Sequence, residues 1–128
     1  MQSKTQSQSL VKNIIVSAVA MLLLDFFYLS LISKMFMKML MDVQGETMKL
    51  KIAGAVACYI LLIGGLNYFI ISKRRSLMDA FLFGIVIYGV YDTTNYATLN
   101  KWTIRTLVLD TLWGGTLMTA TTWITYQL

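Results

Sequence analysis

Residues 52–72 read Ile-Ala-Gly-Ala-Val-Ala-Cys-Tyr-Ile-Leu-Leu-Ile-Gly-Gly-Leu-Asn-Tyr-Phe-Ile-Ile-Ser, twenty-one residues without a charge. At ~1.5 Å per residue such a helix spans about 30 Å, the thickness of the hydrocarbon core of a bilayer. Lysines stand immediately before the run, at 49 and 51, and Lys73-Arg74-Arg75 immediately after it. Cations at both ends of an apolar run suit lipid headgroups. This stretch is a transmembrane helix, and it makes the chain an integral membrane protein.

Working outward, three more segments have the same length. Residues 77–98 form a second apolar helix, joined to the first by the short basic turn Lys73-Arg74-Arg75-Ser76, which predicts that the two helices are antiparallel neighbours. Asp79 sits in its first turn, where a carboxylate complements the helix dipole. Residues 13–33 lie between Lys12 and Lys34 with Asp25 as their only charge. A cleaved signal peptide would have a shorter apolar region and no internal aspartate, so this is a retained span. Residues 106–126 make the last span, rich in threonine and carrying Gly114-Gly115; small and hydroxylated residues serve helix contacts in lipid. The expected architecture is an all-α transmembrane bundle of four helices in up-down order, covering residues 13–128, with a polar flexible tail at 1–12.

Composition agrees. Of 128 residues, 57% are apolar and 13% charged, against about a quarter charged in soluble domains. The net charge of +5 is spread over helix ends instead of gathered in a stripe, which argues against a nucleic-acid partner and leaves the lipid bilayer as the expected one. With no histidine and one cysteine, the chain lacks an intramolecular disulfide, a histidine box and a cysteine–histidine nucleophile; no metal site is indicated and the cofactor is unknown. A metal serving an enzyme here would have to rest on carboxylates, Asn95 and water, favouring Mg or Ca over Zn. The connector 34–51 holds methionines at 35, 37, 39, 41 and 48. Thioethers can hold Cu(I), but interleaved lysines favour an interfacial segment with apolar side chains in lipid and ammonium groups at headgroups. Gly45 is its expected break, Gly54, Gly64 and Gly65 are expected points of close helix approach, and Trp102 reads as an interfacial anchor.

Four spans put both termini on one face of the membrane, side A, with the 34–51 connector on side B. The basic residues divide nearly evenly; the dense 73–75 turn tips the orientation toward cytoplasmic termini.

Helical rise then gives the depth of each carboxylate. Asp25 lies about 3 Å, Asp92 about 7 Å and Asp110 about 9 Å from its helix centre, all toward side B. Spacing puts Tyr88, Asp92 and Asn95 on one face of the third helix, Asp110, Trp113 and Gly114 on one face of the fourth, and Tyr28 one turn from Asp25 on the first. A shared polar site of Asp25, Tyr28, Tyr88, Tyr91, Asp92, Thr94, Asn95, Asp110 and Trp113 follows as an expectation. An aspartate at mid-membrane costs about 2.5–3.5 kcal/mol to insert, and three carboxylates together cannot all stay ionised without counter-charge, which Arg105 or Lys101 could supply. Hydrogen-bond glue between helices is the competing reading.

The run Gly89-Val90-Tyr91-Asp92-Thr93-Thr94-Asn95-Tyr96-Ala97-Thr98-Leu99, then Trp102, then Asp110-Thr111-Leu112-Trp113-Gly114, resembles the pattern of the predicted membrane proteins grouped as domain of unknown function 2177. The resemblance covers about residues 13–126. It implies the four-span layout and motif positions at Tyr91, Asp92, Thr94, Asn95, Thr98, Trp102, Asp110, Trp113 and Gly114, with Asp25 as the first-helix member. The family pattern has a tryptophan shortly after that aspartate, where this chain reads Asp25-Phe26-Phe27-Tyr28. It brings no established activity.

Three functions stay open: a transporter or channel for protons, cations or a small polar solute, working as an oligomer because four helices are few for a pathway; a membrane enzyme or enzyme subunit in lipid modification; and a structural subunit of a membrane complex. Intramembrane carboxylates place the first ahead.

Overall fold

The computed structural model describes residues 2–44, 52–100 and 102–128, with side chains described at 9–32, 52–100 and 102–128. It is all-helical over these residues. α1 is Gln2–Gln44, α2 is Ile52–Leu66 continued by a π-helical turn Asn67–Ile71, α3 is Leu77–Thr98 and α4 is Ile104–Gln127. Three segments are long and apolar enough to cross a membrane: Ser9–Ile32, Ile52–Ile71 and Leu77–Thr98.

α1 is longer than its expected span. Residues 2–12, expected as a flexible tail, continue the helix upward, and residues 34–44 of the connector continue it past the span. Extending an existing helix needs no new nucleus, and no glycine or proline interrupts residues 2–44. Gly45, the expected break, lies outside the described residues. The side chains of the methionine-rich connector lie outside the described residues.

α4 is a helix of 24 residues but is not among the three segments apolar enough to cross on composition. Threonine accounts for this, and the structure disposes of part of its polarity, leaving the buried Thr121 and Thr122 hydroxyls without a hydrogen bond among the described residues. Thr116, Thr119 and Thr125 donate their hydroxyls to the carbonyls four residues back, at 2.8–2.9 Å, so these side chains carry their hydrogen bonds inside the helix. α4 is also the central helix: Thr106, Gly114, Gly115, Leu117, Met118, Thr121, Thr122 and Thr125 are all buried. It packs along α3 over much of its length and against α1.

Glycines set the α3–α4 distance. A methyl group on Gly84 of α3 would strike the Gly114 carbonyl and, at 2.8 Å, the Gly115 Cα; one on Gly114 would enter the Tyr88 ring, and one on Gly115 would stand 2.7 Å from Phe81. The expected close approaches at Gly54 and Gly64 are not there: nothing among the described residues comes within 4 Å of either Cβ position, and Gly65 meets only the tip of Phe83 at 3.2 Å. α2 leans on α1 instead and makes little contact with α3.

That turn is a built stop. Arg75 N–H bonds the Ile70 carbonyl and Arg74 N–H the Ile71 carbonyl at 2.9 and 3.0 Å, the paired bonds of a Schellman ending. Its left-handed residue is Arg74, at φ 51°, with the guanidinium over the Tyr126 ring at 4.6 Å. Ser76 caps α3, its hydroxyl accepting from Asp79 N–H at 3.1 Å, and Thr103 caps α4 by accepting from Thr106 N–H. Lys12 donates to the Leu128 carbonyl, so the start of the first span and the end of α4 lie at the same end of the bundle.

The core is narrow, with Met21, Leu66, Leu117 and Met118 fully buried at its centre. Around it the large apolar residues face outward, Phe26 at 73% and Leu61 at 74% exposure among them. A chain in water hides such residues; here they form the surface for lipid.

Candidate functional site

Asp25 is buried on α1 with both carboxylate oxygens occupied. Tyr59 of α2 donates its hydroxyl to one, and the Trp113 indole of α4 donates to the other at 3.0 Å. One turn along α1, Tyr28 lies flat on Trp113, ring centres 4.5 Å apart and planes 4° from parallel. The Tyr28 hydroxyl reaches on to Asp110 at 3.4 Å. α1, α2 and α4 are therefore tied together through one carboxylate and one stacked aromatic pair.

Asp92 completes the set from α3. It has no exposed surface, and neither oxygen has a hydrogen bond of normal geometry. The polar side chains nearest it are those of Asp110, Trp102 and Thr111. Tyr28 stands within electrostatic reach of all three aspartates. Among the described residues Arg75–Asp79 is the only ion pair; Arg105, an expected counter-charge, is exposed and pairs with none of the three, and Lys101 lies outside the described residues. Also among the described residues, no three carboxylates, histidines or cysteines converge closely enough to hold a metal ion. The aspartates are strung as a series, with Asp92 beside Asp110 and Asp25 joined to Asp110 through Trp113 and Tyr28.

Of the nine residues the sequence singles out, Asp25, Tyr28, Asp92, Asp110 and Trp113 come together. Tyr88 is close by, packed on Gly114 and in electrostatic reach of Asp25 and Asp110. Tyr91 is at the rim, half exposed, with its ring edge-on to Trp102 at 6.0 Å; Asn95 is beside it. Thr94 is exposed and stands away from the cluster.

Three contributors are absent from that set. Trp102, expected at the interface, is only 3% exposed: the Leu99–Trp102 turn, closed by Trp102 N–H on the Leu99 carbonyl at 3.1 Å, folds the indole back beneath Tyr91. Tyr59 lies about 4.5 Å toward side B from the centre of its span, matching Asp25; that depth match was the signal. Thr111 neighbours Asp110 in sequence.

This constellation falls on the residues that carry the resemblance noted above, and a family pattern that covers them decides membership: the model of the predicted membrane proteins DUF2177 matches residues 10–127. The chain belongs to DUF2177. No curated protein and no solved structure matches it.

A second polar contact in this family member lies at the other end of the bundle. Asn67 opens the π-helical turn and donates its amide to Ser17 of α1 at 2.9 Å and to the Ile63 carbonyl at 2.8 Å. The Met21, Leu66, Leu117 and Met118 layer separates it from the carboxylates.

One test of the aromatic frame follows. Tyr59→Phe removes the only hydrogen bond between α2 and the carboxylate series among the described residues. It is expected to lower stability by about 1.5–3 kcal/mol, the range for a hydrogen bond to a charged group, in thermal unfolding of the purified protein in detergent.

Proposed function

We propose that Asp92 and Asp110 form a proton-binding pair inside the membrane, reached from side B, and that the protein uses it to transport or conduct protons. One observation carries the reading: a fully buried carboxylate with no normal hydrogen bond lies against a second carboxylate with no cation paired to either among the described residues. Two such groups side by side are stable when a proton sits between them, donated by one and accepted by the other. Moving that proton on is the elementary step of a carboxylate relay. The reading takes α4 as a fourth crossing, which its back-bonded threonines and its place inside the bundle support.

Tyr28 and Trp113 shield the deep side of the pair, and the Met21–Leu66–Leu117–Met118 layer closes the bundle beyond them. Net passage requires that layer to part, so slow, carrier-like turnover is expected in place of open-channel currents.

Asp25 supports a second, structural reading of its own. With both oxygens bonded to neighbouring helices, it is a clasp.

The test is proton flux into liposomes carrying a pH-sensitive dye under an imposed membrane potential. Parent protein and Tyr59→Phe are expected to conduct, and Asp92→Asn with Asp110→Asn to fall to the level of empty liposomes. Equal flux from the parent and the double variant overturns the proposal.

A further inference from the structure

α2 and α3 part company just after the turn that joins them, because the glycine contacts pull α3 onto α4. The gap is an open apolar cleft of about 490 Å³, walled by Ile70, Leu82, Phe83, Val86 and Ile87, with Arg75 and Asp79 at its mouth. Its α3 wall repeats at helical spacing from 79 to 87, eight residues or about 12 Å, along the direction in which lipid chains run. α3 is the least buried of the three candidate spans, so this face is open to the bilayer.

The turn beside the mouth is cationic. Lys73, Arg74 and Arg75 precede Asp79, a local net charge of +2. Arg75 approaches Asp79 at 4.0 Å, leaving the other two cations without a carboxylate partner among the described residues. Lys73 stands over the Tyr68 and Phe69 rings at 4.9 and 5.9 Å, and Phe69 lies 6.3 Å from Phe83 in the cleft wall.

We propose that this cleft binds one anionic phospholipid, its phosphate on Lys73 and Arg75 and an acyl chain along the α3 wall between Leu82 and Ile87. A cationic turn at the end of a span lies at phosphate depth, and each cation there draws acidic lipid; the apolar walls recognise the chain. This site is separate from the carboxylate pair, so its failure leaves the proton reading standing.

Native mass spectrometry of the delipidated full chain in detergent, titrated with phosphatidylglycerol, phosphatidylcholine or glycerol 3-phosphate, tests it. One phosphatidylglycerol per chain is expected to be retained in preference to phosphatidylcholine, and glycerol 3-phosphate not at all. Lys73→Gln with Arg75→Gln is expected to erase the preference for the acidic lipid, about five-fold for each cation. Leu82→Trp, which fills the cleft and leaves the turn intact, is expected to reduce retention of both lipids while keeping the parent's helical content and melting temperature. Equal phosphatidylglycerol retention by parent and Leu82→Trp overturns the proposal. So does glycerol 3-phosphate binding as tightly as the lipid, or a parent dimer that Leu82→Trp disperses.

Discussion

Gly84→Leu is expected to be the most damaging single change in the bundle, lowering stability by about 3 kcal/mol or more, at or beyond the upper end of ordinary overpacking. The reason is what a side chain there would meet. At most tight positions an added methyl presses on another side chain, which can rotate. At Gly84 it meets the Gly114 carbonyl and the Gly115 Cα, backbone atoms that move only if the helices separate. α3 has little else to hold it, since it makes little contact with α2. Separation would also carry Asp92 away from Asp110, so the variant is expected to lose proton flux along with stability. Gly89→Leu is the control: a methyl there makes only an ordinary 3.6 Å contact with Thr111. The comparison is made by thermal unfolding in detergent, and a Gly84→Leu melting temperature equal to that of Gly89→Leu would show that α3 and α4 do not approach each other through Gly84.

The depth of a residue in the membrane is legible in a sequence like this because helical rise is constant. That is why Asp25, Asp92 and Asp110 can be set toward one end of the bundle before any fold is known. Rotation about the helix axis is not legible in the same way, because it depends on which neighbour a helix chooses. Spacing alone links Asp92, Asn95 and Tyr88, yet cannot say that Thr94 stands outside. Neighbour choice misled the reading of α2 as well: a short turn brings α2 and α3 together at one end, while Gly84 and Gly114-Gly115 commit α3 to α4. Tyrosine is the other difficulty. In the uncharged run 52–72 Tyr59 reads as one more apolar residue, and only the carboxylate opposite gives its hydroxyl a meaning. Trp102 misleads in the reverse direction, since a tryptophan beside a helix end suits the interface unless the chain turns it inward. The length of α1 escaped for a simpler reason: polar residues beyond a span carry no sign of whether the helix continues.

Asp92→Asn is expected to raise stability, by about 1–3 kcal/mol, the cost of leaving a buried polar group unsatisfied. Asp25→Ala is expected to lower it by about 2–5 kcal/mol, through two buried donors left without an acceptor. The opposite signs come from opposite surroundings. Asp25 accepts from Tyr59 and Trp113, so removing its carboxylate strands both groups inside the bundle; Asp25→Asn keeps one acceptor and should cost less than the alanine variant. Asp92 makes no hydrogen bond of normal geometry, and an asparagine of the same shape can donate to Asp110 at any pH, where the carboxyl can do so only while the pair holds its proton. A residue that lowers stability where it stands, and whose neutral isostere is more stable but inactive, bears the mark of a group kept for function. Measured together with proton flux, the pair separates the clasp from the relay. If Asp92→Asn loses stability as Asp25→Asn does and flux is unchanged, Asp92 is interhelical glue, and the series of carboxylates is a fastening from end to end.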